Sequence, residues 1–536
     1  MNNIKILDCT LRDGGYINNW EFGKEVITQI AARLATAHID IIEVGFLTAL
    51  PHTEEQSLYA NSAELDAVTR NCKETGSKIA AMIALGEKEL DPATLPDAKD
   101  TNLDIVRITF HNSEKELEKA FRYAECLQTK GYLVCMQPVG TTSYTDRELL
   151  ELIEKVNCLC PYAFYLVDTL GVLHRRGLAH FVDLIDCNLK PEICLGFHSH
   201  NNLQMSYANA QFISEFRTER EFIIDSSVYG MGRGAGNLCT ELFAQFENEI
   251  GVPRYQMMPI YEVLDDYIYP IFMHLRWGYN AHYYVSATHH CHPNYASFLM
   301  NKQTLTMNEV DLILKNIPRE HRYIYNKNLV EELYYNFQNH TIDDTETCQN
   351  LSKQISGREV LLLAPGKSLQ DHIVQLKEFM EKERPIVFSI NAQSCYFHSD
   401  YVFISNLKRL YMTDMSKMDV PVILTSNLPN IIRDGIYVDY AALCDKHYEE
   451  MDNSGIMLIR LMKKLGLHRV YIAGYDGFSS RPKDNYFDQK LVNSVDLEKM
   501  QKKTVSIGKQ LKEIKKHMEI VSLTPSKYLE GSYETV

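Results

Sequence analysis

The sequence predicts an α/β protein of two modules: an N-terminal TIM (β/α)8 barrel with a helical extension, then a C-terminal Rossmann-like α/β domain. Three observations predict it. Eight β-rich apolar runs alternate with amphipathic helical stretches over about the first 250 residues, the arithmetic of a closed barrel. Chemically loaded residues collect at the C-terminal ends of those runs, where a barrel builds its active site. A polar interval is then followed by a second series of strands and helices. The expected boundaries are residues 1–255 for the barrel, 256–340 for the extension, 341–357 for a linker and 358–536 for the Rossmann-like domain.

The barrel strands are expected at Ile4 to Asp8, Ile39 to Phe46, Lys78 to Ala84, Leu103 to Phe110, Tyr132 to Gln137, Tyr162 to Asp168, Ile193 to Ser199 and Phe222 to Ser227. Helical periodicity lies between them, for example over Lys24 to Ala37, Glu114 to Lys130 and Asp146 to Asn157. An open doubly wound sheet would need fewer strands and a glycine-rich first turn; here that turn reads Arg12-Asp13-Gly14-Gly15. Asp13 follows the first strand, Glu43 lies late in the second, and Arg107 and His111 end the fourth. Gln137 ends the fifth, Asp168 and Thr169 the sixth, and His198 and His200 the seventh.

Histidines two residues apart on a strand share one side of it. With an oxygen from Asp13 they make a two-histidine, one-carboxylate face that suits a divalent ion such as manganese, iron or magnesium. An isolated His-x-His is more often a surface or core pair; the company at the other strand ends singles this one out. After the eighth strand, Gly230 to Asn237 is a glycine-rich run suited either to wrapping a metal or anion or to a flexible connection. From Pro259 to about Phe337 the pattern is helical and rich in tyrosine. Its run His289-His290-Cys291-His292 is too crowded to be expected as a zinc cluster.

The second module is expected to open with a strand at Glu359 to Ala364, a turn at Pro365 to Ser368 and a helix from Leu369. Further strands are expected at Ile386 to Ile390, Tyr401 to Ile404, Val420 to Thr425 and Val470 to Ala473, a sheet of about five. Gly366-Lys367-Ser368 lacks the earlier glycine of a P-loop, because Leu361 stands there, so an ATPase is not expected. A helix N-terminus there would still offer amides to a phosphate. A charged helix is expected over Leu497 to Met518.

Composition narrows the function classes. A chain of 536 residues exceeds what one hydrophobic core organises, and 45% apolar content supplies two. A net charge of -15, with no Lys/Arg-rich run, argues against nucleic acid or an anionic membrane surface and for small-molecule partners. The 13 cysteines are scattered, odd in number and free of any Cys-x-x-Cys pair, as reduced cytosolic thiols would be. No signal peptide and no apolar run near about 18 residues is evident, so a cytoplasmic protein is expected.

Four motifs also carry a resemblance. Leu7-Asp8-Cys9-Thr10-Leu11-Arg12-Asp13-Gly14, Ile42-Glu43-Val44-Gly45, Gly196-Phe197-His198-Ser199-His200-Asn201-Asn202-Leu203 and Gly234-Ala235-Gly236-Asn237 resemble the signatures of the DRE-TIM metallolyases. That family includes 4-hydroxy-2-oxovalerate aldolase, HMG-CoA lyase and isopropylmalate synthase, and the likeness covers about the first 300 residues. It implies a divalent cofactor on Asp13, His198 and His200, Mn2+ first and Mg2+, Co2+ or Zn2+ as alternatives. Asn237 would approach the metal or serve the fold alone. Arg12 would hold an enolate oxygen, and Arg12, Glu43, Arg107, Gln137 and Thr169 would bind substrate.

Departures from the motifs separate the branches. The loop at Gly232 to Asn237 lacks the glutamate of the acyl-CoA synthases, and no cysteine occurs between Cys194 and Cys239 where HMG-CoA lyases carry a catalytic one. This leaves the pyruvate-linked aldolases, which cleave a 4-hydroxy-2-oxo acid into pyruvate and an aldehyde. A Claisen-type acyl-CoA condensation, or a lapsed barrel serving glycan synthesis, are the alternatives. Tyr295 resembles a tyrosine whose hydroxyl assists catalysis in that branch, or it packs as an aromatic. Tyr16 stands where the aldolases carry a histidine base, with His111 as the substitute. The second module faintly resembles bacterial sialyltransferase-like nucleotide-binding domains, implying a nucleotide or nucleotide sugar at Gly366, Lys367 and Ser368. A homo-oligomer is expected.

Overall fold

The computed structural model describes residues 4–72, 75–394, 396–415, 418–430, 432, 435–479, 485–487 and 497–529. The N-terminal strands are β1 (Ile4–Asp8), β2 (Ile41–Leu47), β3 (Leu58–Tyr59), β4 (Lys78–Ala84), β5 (Ile105–Phe110), β6 (Leu133–Pro138), β7 (Ala163–Asp168), β8 (Cys194–Ser199) and β9 (Phe222–Ser226). All pair in parallel, in the order β1-β9-β8-β7-β6-β5-β4-β2, and β1 pairs with β2 to close an eight-stranded TIM barrel. The two-residue β3 hangs outside on β2, a strand too short to leave a pattern in the sequence. The barrel strands begin and end within two residues of the expected positions.

Alternation explains how these strands close. Leu7, Ile41, Ala80, Ile105, Cys135, Ala163, Tyr165, Cys194 and Ile223 form one buried cluster. Their neighbours Ile6, Ile42, Ile79, Val106, Val134, Phe164, Leu195 and Ile224 join the larger core that includes the helices. Successive side chains thus serve two layers, as strands buried on both faces require. The helix Asp146–Leu159 shows the matching 3.6-residue logic: Leu149, Leu152, Ile153 and Val156 are buried, and Thr145 with Glu148 closes a capping box at its start.

The chain divides into two compact units, Met1–Ser297 with Ile317–Tyr325, and Phe298–Asn316 with Asn326–Val536. Residues 256–340, expected as one extension, are therefore shared between the two. The expected linker at 341–357 contains a helix, Thr345–Ile355, whose Leu351 and Ile355 are buried in the second unit's core. Its polar residues are the exposed face of an amphipathic helix.

The second unit holds a parallel sheet of β10 (Val360–Leu363), β11 (Ile386–Ile390), β12 (Tyr401–Ile404), β13 (Val422–Thr425), β14 (Ile436–Val438), β15 (Arg469–Ala473) and β16 (Glu519–Ser522). Its order is β14-β13-β12-β11-β10-β15-β16, so the sheet has seven strands where about five were expected. The two missed strands are the edges: β14 has three residues, two of them half-exposed, and β16 carries one apolar pair. Among the described residues no helix is long and apolar enough to cross a membrane.

Candidate metal centre

The C-terminal ends of the barrel strands surround a cavity of about 350 Å³ lined by Arg12, Asp13, Tyr16, Glu87, His111, Gln137, Thr169, His198, His200, Arg233 and His292, among others. Within it, ligand atoms of Asp13, His198 and His200 lie within 4.8 Å of one another, and all three residues are buried. Among the described residues this is the one such group of His, Cys, Asp or Glu side chains.

Local chemistry sets each of the three. Asp13 follows the turn after β1, which Asp8 fixes by accepting from the Thr10 amide at 2.9 Å and from Thr240 Oγ1 at 2.6 Å. Burial alone would raise the Asp13 carboxyl, but the Arg12 guanidinium, 2.5 Å from Oδ1, holds it below the ordinary carboxylate range, helped by the Asn237 hydrogen bond. His198 Nδ1 lies 2.9 Å from Asp225 Oδ2, so Nδ1 carries the proton and Nε2 keeps its lone pair. Burial pushes His200 down to about 3, so its imidazole is neutral, and its Nδ1 has no hydrogen-bond partner.

Asn237 completes the arrangement. Its Nδ2 donates to Asp13 Oδ2 at 2.8 Å while its buried Oδ1 has no partner. An orphaned amide oxygen and two imidazoles beside a carboxylate are the donors a divalent cation takes, so these residues fit the metal. The glycine run presents Asn237 and is no slack connection. A Cβ at Gly232 would lie 2.8 Å from Asn237 Cγ and 2.9 Å from Asp13 Oδ2. Gly236 has φ +79°, a conformation a side chain would strain.

Beneath the ligands runs a sealed ionic chain. Arg12 Nε donates to Glu43 Oε2 at 2.8 Å, and Arg107 Nη1 donates to the same oxygen at 2.6 Å. Arg107 Nη2 in turn pairs with Asp225, and Gln137, with its amide oxygen facing the guanidinium, accepts from Arg107 Nε at 3.1 Å. Glu43 and Arg107 are wholly buried and do not line the cavity. The expectation that they bind substrate is corrected: their charges are spent on each other, on Arg12 and on Asp225. Gln137 and Thr169 do line the cavity, Thr169 Oγ1 also accepting from the Gly140 amide at 2.9 Å.

Tyr16 is at the mouth as expected, but burial pushes its phenol up to about 12, outweighing the Arg233 guanidinium, so it is not poised as a base. His111 also lines the cavity. Glu116 Oε2 sits 3.1 Å from its Nδ1 and 2.7 Å from its backbone amide, which places the proton on Nδ1 and the lone pair on Nε2. Tyr295 does not line the cavity; its hydroxyl is spent on the carbonyls of His321, at 2.7 Å, and Ile324, at 3.1 Å. The segment it anchors supplies Tyr323 and Tyr325 to the lining instead.

Sequence reasoning missed Asp225, Arg233 and His292. Of the run His289–His292 only His292 lines the cavity, and burial drives its imidazole well below the ordinary value. In the second unit the expected phosphate cradle is already filled: Asp476 Oδ2 accepts the Ser368 amide at 2.8 Å, and its Oδ1 accepts the Ser368 hydroxyl. A Cβ at Gly366 would lie 2.6 Å from Asp476 Cγ, and Lys367 heads a helix of four residues, Ser368–Asp371, so the nucleotide expected at these three residues meets a carboxylate.

Comparison with known proteins agrees with the barrel. Residues 3–255 match the HMGL-like family. The 4-hydroxy-2-oxovalerate aldolase of Roseiflexus castenholzii is 27% identical over 280 residues, 51% of this chain and 79% of that protein. The protein of the same name from Geobacillus genomosp. 3 is 28% identical over 274 residues, 49% of this chain and 77% of the relative. Among solved structures, the N-terminal domain of a putative aldolase from Bacteroides vulgatus superposes with a TM-score of 0.46 at 24% identity, covering 57% of this chain and 98% of that one. Over residues 3–255, just under half of the chain, the match to the HMGL-like family model and to these relatives supports a DRE-TIM metallolyase barrel.

Proposed function

We propose that the barrel is a cytoplasmic, divalent-metal-dependent aldolase that cleaves or forms a 4-hydroxy-2-oxo acid, with pyruvate and an aldehyde on the other side of the reaction. The observation that carries this reading is the convergence of Asp13, His198 and His200 in a cavity that Arg12 also lines. Asp13 and the two histidines, with Asn237 beside them, would hold the ion, and a mixed nitrogen and oxygen donor set suits manganese. A cation held there supplies positive charge for the oxygen on which an enolate's charge collects.

The chain's own groups account for the remaining steps. Arg12 is fixed through Nε and Nη1, which leaves Nη2 to hydrogen-bond the substrate as negative charge develops. His111 Nε2 takes the proton of the 4-hydroxyl, and Glu116 steadies the imidazolium that forms. The C3–C4 bond then breaks, its electron pair entering the enolate as the aldehyde departs, and the proton taken by His111 is returned, directly or through water, to C3 to give pyruvate. Tyr16, a phenol throughout, donates to the departing oxygen. The relatives named 4-hydroxy-2-oxovalerate aldolase support the same reaction class.

The test is pyruvate release from a panel of 4-hydroxy-2-oxo acids with manganese, alongside His198→Ala. Release by the wild type and its loss in the variant are expected. No release from any member of the panel, or equal release by the variant, contradicts the reading.

A further inference from the structure

The charges around the mouth do not close among themselves. Arg12 and Arg107 are each paired with carboxylates. Arg233 is not. It lines the cavity with its guanidinium 5.2 Å from the centre of the Tyr16 ring, its Nε is sealed from water without a hydrogen-bond partner, and among the described residues it makes no ion pair. Lys88, which likewise makes no ion pair among the described residues, is a second cation on the same aromatic group. Its Nζ lies 5.3 Å from the Tyr16 ring, 4.0 Å from Trp20 and 5.0 Å from Phe46, and burial lowers its pKa.

Besides Asp13, which is engaged by Arg12 and Asn237, the carboxylate lining the cavity is Glu87, which is exposed and forms no ion pair with either cation. A part-buried guanidinium with no protein anion leaves its charge to water or to a bound anion. Pyruvate's own anionic end belongs beside Asp13, His198, His200 and Arg12, which leaves Arg233 on the cavity wall to the other half of the substrate.

Building on the aldolase reading, we propose that Arg233 is a specificity residue for a second anionic group, a carboxylate or phosphate, on the aldehyde-derived half of the 4-hydroxy-2-oxo acid. The guanidinium offers a planar fork to that group, and Lys88, against the same Tyr16 ring but off the cavity wall, adds positive potential. The substrate class is therefore a dianion or trianion.

The test compares three 4-hydroxy-2-oxo acids, whose tails end in a methyl, a carboxylate or a phosphate, on the wild-type chain and on Arg233→Gln and Arg233→Lys. One anionic tail should exceed the methyl tail in kcat/KM by about 10- to 100-fold, the range of a charge-assisted hydrogen bond. Arg233→Gln should shrink that ratio below about 3-fold, mainly through KM, and Arg233→Lys should keep part of it, which rules out a merely unfolded variant. A wild-type ratio below about 3-fold, or a ratio that survives Arg233→Gln, overturns the proposal.

If the wild type cleaves none of the three, it is the aldolase reading that fails, and calorimetry of the manganese-loaded protein still decides the subsite. There 2-oxoglutarate should bind at least about 10-fold more tightly than pyruvate in the wild type and lose that advantage in Arg233→Gln. Equal affinities in the wild type overturn the proposal.

Discussion

Asp225→Asn is the most informative single change, because Asp225 Oδ2 meets both His198 Nδ1, at 2.9 Å, and Arg107 Nη2. The substitution keeps the shape and removes the charge. Two costs follow from the geometry. An asparagine whose amide oxygen takes the place of Oδ2 still accepts from both, but the buried Arg107 guanidinium loses the negative charge beside it. Uncoupling one partner of a buried ion pair costs about 3–5 kcal/mol, and this loss belongs to the metal-free protein. The second cost belongs to the metal: a ligating imidazole that loses its carboxylate partner typically weakens affinity by about 10- to 100-fold, or about 1.4–2.7 kcal/mol. Chelator-stripped protein titrated with Mn2+ by calorimetry reads the second cost, and thermal unfolding of the same metal-free samples reads the first. Unchanged Mn2+ affinity together with an unchanged melting temperature would refute the claim that the ionic chain beneath the ligands positions them.

Four further outcomes follow from individual residues. Because burial holds Tyr16 up to about 12, its proton stays on between pH 6 and 9; Tyr16→Phe should lower kcat without moving the pH profile, while His111→Gln should cost about 10²- to 10⁴-fold of kcat. Gly232→Ala places a Cβ 2.9 Å from Asp13 Oδ2, so Mn2+ affinity by calorimetry should fall by at least about 10-fold while the far-ultraviolet circular dichroism of the barrel is kept. Tyr295→Phe removes the bond to the His321 carbonyl and should cost about 0.5–1.5 kcal/mol of stability in a thermal melt, with kcat changed by less than about twofold.

Much of the barrel was legible because its strands are apolar runs bounded by turn residues, and the metal group because His198 and His200 keep the two-residue period that places both on one side of β8. The ionic chain was less legible, although each member leaves a trace. Glu43 follows Ile41-Ile42, Arg107 follows Ile105-Val106 and Asp225 follows Ile223-Ile224, each a lone charge in a buried strand. Such a charge must find a partner inside, but sequence does not say which of three strands supplies it. Sequence alone therefore points Glu43 and Arg107 toward substrate and does not single out Asp225.

Other misses are tertiary. Tyr295 and the cavity-lining Tyr323 and Tyr325 come from one aromatic-rich region, and only the fold shows which hydroxyl is spent on a carbonyl. The turn at Gly366 to Ser368 has the local look of a phosphate site, and the residue that fills it, Asp476, lies 108 residues away in sequence from Ser368. The edge strands β14 and β16 are too short to carry a period.

The account stands on one divalent ion at Asp13, His198 and His200. Its most direct measurement is Mn2+ stoichiometry by equilibrium dialysis with metal analysis. One ion per chain in the wild type, and none retained by His198→Ala or Asp13→Asn in protein of unchanged secondary structure, is the result the account predicts. A chain that takes up no Mn2+, Mg2+, Co2+ or Zn2+, or one whose uptake survives both substitutions, would contradict it.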